Sequence, residues 1–99
     1  MIKHVVSWKL KATDEDSKAE AFVTIATSLN ALVHFIPQIK ALTVGRNVVS
    51  TDSNWDVVLV AQYESLEALE AYQVHPEHQR VASIIRELVA DKVTVDFEL

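Results

Sequence analysis

Residues 55 to 63 put apolar side chains on both faces of whatever strand they form, since Val57, Leu59 and Ala61 alternate with Val58 and Val60. A sheet holding this strand has no side built for water. One layer of helices covers one face only, so the other must meet a second surface. In a 99-residue chain that is 49% hydrophobic, that surface is expected to be another copy of the same chain. Two-fold symmetry is the commonest way such copies close, so the expected partner is itself, as a homodimer.

The flanking periodicities supply the other elements. Residues 2 to 10 alternate as a strand, with Ile2, His4, Val6, Trp8 and Leu10 on one face and Lys3, Val5, Ser7 and Lys9 on the other. Thr13 and Asp16 have capping-box spacing, and Phe22, Ile25, Ala26, Leu29, Leu32, Val33 and Ile36 keep the three-and-four rhythm of a helix that ends before Pro37. Residues 39 to 46 read as a second strand, stopped at Gly45-Arg46-Asn47 and followed by a polar loop. Ser65 can cap a short helix with Leu66, Leu69 and Tyr72 inward. Pro76 suits the first position of the next helix, which carries Val81, Ile84, Ile85 and Leu88. Residues 92 to 98 alternate as a last strand, Val93, Val95 and Phe97 against Thr94, Asp96 and Glu98. The order β-α-β-β-α-β, with its second helix broken at Pro76, predicts one α+β domain over residues 1–99. It is a ferredoxin-like antiparallel sheet with helices on one face, pairing through its bare face into a dimeric α/β barrel.

Charge and composition exclude several functions. Fourteen acidic residues against nine basic ones give a net charge of −5 with no run of Lys or Arg, so nucleic acid is not an expected partner. The absence of cysteine removes disulfides, thiolate catalysis and Cys-based metal sites. No apolar run approaches twenty residues and no leader pattern opens the chain, so no membrane partner is expected and the cytoplasm is the expected location.

The chemically suggestive segment is Ala71-Tyr72-Gln73-Val74-His75-Pro76-Glu77-His78. His78 falls in the first turn of the helix that Pro76 opens, where unpaired N–H groups favour a neutral imidazole, the form a general base needs. His75 is placed to end one helix or cap the next. His4, His75, His78 and Asp96 are metal-ligand types but lack a ligand spacing, so neither a metal nor another cofactor is expected.

Lys3-His4 opening the first strand, Ile36-Pro37 after the first helix, Gly45 ending the second strand, Tyr63-Glu64-Ser65 before the second helix and the Tyr-x-x-His-Pro-x-His run from Tyr72 to His78 stand in one order. In these features the chain resembles the stress-responsive A/B barrel (Dabb) family. The resemblance implies a dimeric barrel that binds a small hydrophobic or aromatic carbonyl compound between sheet and helices. It also implies an alternative, a cofactor-independent enzyme like the polyketide cyclase within that family, or like the small barrel monooxygenases. His78 and Tyr72 match the cyclase's catalytic pair, Asp96 is placed to orient His78, and His4 is placed to line the cavity. His75, Trp8 and Leu59 complete the candidate substrate-binding set. These roles make physical sense, because a carboxylate fixes a histidine tautomer and a tyrosine can donate to a developing enolate oxygen.

Overall fold

Four antiparallel strands form one sheet in the order β2-β3-β1-β4, where β1 is Ile2–Leu10, β2 is Ala41–Arg46, β3 is Val57–Tyr63 and β4 is Val89–Glu98. The computed structural model describes residues 1–99. Three helices, α1 (Glu15–Ala31), α2 (Leu66–Val74) and α3 (Pro76–Leu88), cover one face. The fold is the expected ferredoxin-like one, with the second helix divided at Pro76.

The alternation in the central strands decides what lies under the helices. On β1, Ile2, His4, Val6, Trp8 and Leu10 are buried, and on β3 Val57, Leu59, Ala61 and Tyr63 are buried. Ile25 and Leu29 of α1, Leu69 and Tyr72 of α2, and Val81 and Ile85 of α3 close onto them. Asp56 ties the sheet to α1, because its carboxylate accepts from the Leu10 N–H at 2.8 Å and lies 3.4 Å from the Lys18 Nζ.

Local details differ from the sequence pattern in three places. The N-cap of α1 is Asp14, which accepts from the Ser17 N–H at 2.9 Å, and not Thr13. Both residues have a partner three positions on, and the carboxylate is the stronger acceptor at a helix N-terminus. The first α-helix stops at Ala31, and one 3-10 turn, Leu32–His34, carries the chain toward Pro37; this rotates Val33 out to solvent while Leu32 and Ile36 stay buried. Leu66 opens α2 on its solvent side, leaving Leu69 and Tyr72 as the inward pair. Ser65 does cap that helix, accepting from the Ala68 N–H at 3.1 Å, a contribution of about 1 kcal/mol.

Opposite the helices the sheet is bare. Val5 pairs with both Val60 and Val95, so three valines lie in a row across β3, β1 and β4. Val58 and Val93 flank Ser7 in the next row, and Phe97 lies beside Lys3. Val93, Val95 and Phe97 are 49%, 58% and 43% exposed. No helix is long and apolar enough to cross a membrane.

Candidate functional site

Between the helices and the β1–β4 side of the sheet lies a cavity of about 340 Å³. Its floor is buried and mostly apolar, built from Val6, Trp8, Leu29, Leu59, Val81 and Ile85, with His4 and Tyr72 set into it. The rim is exposed and polar, with Gln73, Arg86, Asp91, Lys92 and Thr94. The opening exists because β4 is an edge strand that no helix covers, so the inner residues Lys92, Thr94 and Asp96 remain exposed.

Of the residues expected from the sequence, His4, Trp8, Leu59, Tyr72 and His78 line this chamber. His75 does not. Its Nδ1 accepts from the Glu77 N–H at 3.1 Å and caps α3, with Pro76 following at the first helical position. Asp96 does not reach His78 either: its carboxylate binds Nδ1 of His4. The sheet register makes this pairing unavoidable, because His4 and Asp96 are direct partners on β1 and β4 with side chains on the same face. With no group of three or more His, Cys, Asp or Glu side chains converging, the four candidate metal ligands do not assemble into a site.

His78 has a different orienter. Its Nδ1 lies 3.0 Å from the Gln73 carbonyl oxygen, one of the acceptors left open where α2 ends. A carbonyl can only accept, so Nδ1 carries the hydrogen and Nε2 of the neutral ring is left as the acceptor. Burial holds the pKa of His78 below the ordinary histidine range; the bond to Gln73 opposes this, and the nearby charges of His4, Lys92 and His75 reinforce it. The ring is therefore neutral at pH 7.

The sign of this shift gives a stability test. The folded chain takes up the His78 proton less readily than the unfolded chain, whose imidazole titrates near pH ~6.5. Between that value and the lower folded one, the unfolded state binds more protons, so stability falls as pH is lowered through this window and levels off below it. Urea midpoints measured from pH 7.5 downward (about one unit either side of ~6.5) are expected to fall less steeply in His78→Gln than in the parent. Equal slopes would contradict the assignment.

Tyr72 packs against His78 with ring centroids 4.4 Å apart and against Tyr63 at 5.0 Å. Neither tyrosine hydroxyl meets a hydrogen-bond partner in good geometry, although both are fully buried, and the two lie close enough to shift each other's titration. Burial pushes Tyr72 up to about 12 and raises Tyr63 further, so both remain protonated donors. The Tyr72 ring thus forms part of the chamber wall, its protonated hydroxyl buried, beside a neutral histidine with a free ring nitrogen and over an apolar floor. That combination suits a ligand with an apolar body and one carbonyl oxygen.

The rim residues Gln73, Arg86 and Lys92 were not singled out by the sequence pattern. A signal for them exists, since His78, Ala82 and Arg86 follow at intervals of four on α3, and Lys92 shares the inner face of β4 with Thr94 and Asp96.

Comparison with known proteins places this architecture among relatives. The profile of the stress responsive A/B barrel domain matches residues 2–99. The stress-response A/B barrel domain-containing protein DABB1 of Arabidopsis thaliana is 32% identical over 98% of this chain and 46% of its own length. The chain thus spans less than half the length of the curated relatives it matches. A dimeric protein of unknown function and ferredoxin-like fold from Bacteroides fragilis superposes with a TM-score of 0.87 at 26% identity, covering 99% of this chain and 95% of that one. A dimeric ferredoxin-like protein from Thermobifida fusca gives 0.81 at 30%, covering 99% and 90%. The fold alone is shared with the hydroxynitrile lyase of Passiflora edulis, at a TM-score of 0.80 and 11% identity over 99% of this chain and 92% of that one.

Proposed function

The chain belongs to the stress responsive A/B barrel domain family, and from that premise we propose that it binds a small apolar or aromatic carbonyl compound in the chamber between its sheet and its helices. The observation that carries this reading is the Tyr72 hydroxyl, a buried donor without a partner on a residue that lines an apolar cavity. An unmade buried hydrogen bond costs about 1–3 kcal/mol, and a ligand carbonyl that accepts from Tyr72 recovers part of it. The volume of about 340 Å³ lies at the small end of ligand pockets and fits one ring with a short chain.

The test is the His78 ring signal in NMR, assigned with His78→Gln, during titration with benzylacetone. The signal is expected to move saturably. A ring that stays unmoved while ligand reaches millimolar concentration would end this reading.

A second reading follows from the tautomer of His78. With Nε2 free as a base and Tyr72 as donor, the pair can carry out acid-base chemistry on the same ligand. The proton alpha to the carbonyl passes to Nε2, its bonding electrons become the enolate, and the enolate oxygen accepts from Tyr72. In deuterated buffer the same sample then exchanges the alpha hydrogens of benzylacetone, and His78→Gln loses this exchange. Saturable binding with no exchange above the buffer rate leaves a binding protein.

The assembly is proposed to be a homodimer that covers the bare sheet face. Support comes from the valine row on that face and from the two relatives described as dimeric. The site residues His4, Trp8, Leu59, Tyr72 and His78 lie on the opposite, helix-covered side of the sheet, so each copy holds its own chamber.

A further inference from the structure

We propose that the ligand of the chamber is an anion, a monocarboxylate whose acid group sits at the rim between Arg86 and Lys92 while its apolar body lies on the floor. This inference rests on the chamber being a ligand site, and it names the class of compound.

The argument begins with charge. Acidic residues outnumber basic ones by fourteen to nine in the chain. At the rim that balance is inverted, with Arg86 and Lys92 against Asp91 alone. Lys18, Lys40, Arg46 and Arg80 each have a carboxylate within 4 Å; Arg86 and Lys92, like Lys3, Lys9 and Lys11, have none, but only Arg86 and Lys92 of these stand at the cavity opening. One oxygen of Asp91 is already occupied by the Lys92 backbone N–H at 2.9 Å.

The two cations come from different elements that meet at the opening. Arg86 is in the last turn of α3, one helical step from Ala82 and two from His78, and Lys92 is on the inner face of β4 directly across from Trp8. A ligand anchored at both therefore bridges the gap between helix and edge strand. Arginine presents a planar fork that matches a carboxylate, and lysine adds a point charge. One guanidinium and one ammonium at an exposed rim, in a chain of net charge −5, favour a singly charged carboxylate over a doubly charged phosphate, and the acid is therefore assigned as a carboxylate.

The floor cannot take the charged end. The floor is apolar except for the Trp8 indole N–H, the neutral Tyr72 hydroxyl and His4, whose Nδ1 is already engaged by Asp96, and neither neutral donor offsets the cost of burying a carboxylate. The orientation is thus fixed, with the carbonyl inward at Tyr72 and the acid outward at the rim.

The experiment compares benzoylpropionate with its primary amide, which keeps the shape and loses the charge, by calorimetry and by the His78 ring signal. The acid is expected to bind roughly tenfold more tightly at low ionic strength, with the gap closing in high salt, and Arg86→Gln and Lys92→Gln are each expected to remove about threefold from the acid while leaving the amide unchanged. Equal affinity of acid and amide, with both moving the His78 signal, overturns the anion assignment and leaves the chamber reading in place. A tighter acid that ignores both variants also overturns it, since the acid then sits elsewhere. Binding of neither compound removes the chamber reading and this inference together.

Discussion

Val95→Glu is expected to convert the protein from dimer to monomer at micromolar concentration without disturbing the protomer fold. Val95 is 58% exposed in the single chain, so the glutamate meets water in the monomer and costs little there. In the proposed dimer the same position lies at the β4 end of the Val60-Val5-Val95 row, next to Val5. A carboxylate buried there without a partner costs several kcal/mol, and two-fold symmetry imposes it twice in one interface. The dissociation constant should rise by about three orders of magnitude or more, since each 1.4 kcal/mol is tenfold. Sedimentation velocity reads this as a change of mass from two chains to one. Val48→Glu is the control, because Val48 is 93% exposed in the loop after β2 and away from the sheet face. If Val95→Glu remains dimeric at the same concentration, the interface lies elsewhere and the valine row needs another explanation.

That face was legible in the sequence because its signal is local. A period of two along residues 2–10, 57–63 and 92–98 assigns each side chain to one of two faces whatever the partner strands are. The same alternation put His4 and Trp8 on one face of β1, and helix spacing turned Tyr72 inward, but the cavity roles of His4, Tyr72 and His78 came from the family resemblance, and which sheet face the helices cover became clear only in the structure. The partner of Asp96 was not legible. It depends on the register between β1 and β4, which joins His4 and Asp96 across a sequence separation of 92 residues, and a slip of one residue would have turned Asp96 to the other face. Nearness to His78 required the relative placement of a helix and an edge strand, which spacing along the chain does not carry. The Asp14 cap was hidden for a smaller reason, since Thr13–Asp16 and Asp14–Ser17 have identical spacing and only geometry separates them. The rim cations were hidden because Lys and Arg at the end of a helix or the start of a strand read as solvated surface.

Tyr72→Phe and Tyr63→Phe are expected to resemble each other in stability and to differ in binding. Both hydroxyls are buried without a partner, so each wild-type tyrosine carries an unrecovered desolvation cost. Removing the oxygen and keeping the ring preserves the packing among His4, Tyr63 and Tyr72 and is expected to leave stability unchanged or to raise it by up to about 1 kcal/mol, which is ~5 °C in a domain of this size. Only Tyr72 lines the chamber, however. Its replacement should therefore weaken a bound ketone by about tenfold, the worth of one buried hydrogen bond, while Tyr63→Phe leaves the affinity alone. Thermal melts and calorimetric titration with benzylacetone on the two variants separate these effects. A loss of stability in Tyr72→Phe would show that its hydroxyl is bonded within the protein after all. Equal weakening in both variants would mean that the two hydroxyls act as one donor system, with Tyr63 polarising Tyr72 across the 5.0 Å between their rings. If neither variant changes the affinity, the unpartnered hydroxyl no longer supports a carbonyl ligand, and the neutral His78 is left, beside His4, as a polar anchor of the chamber.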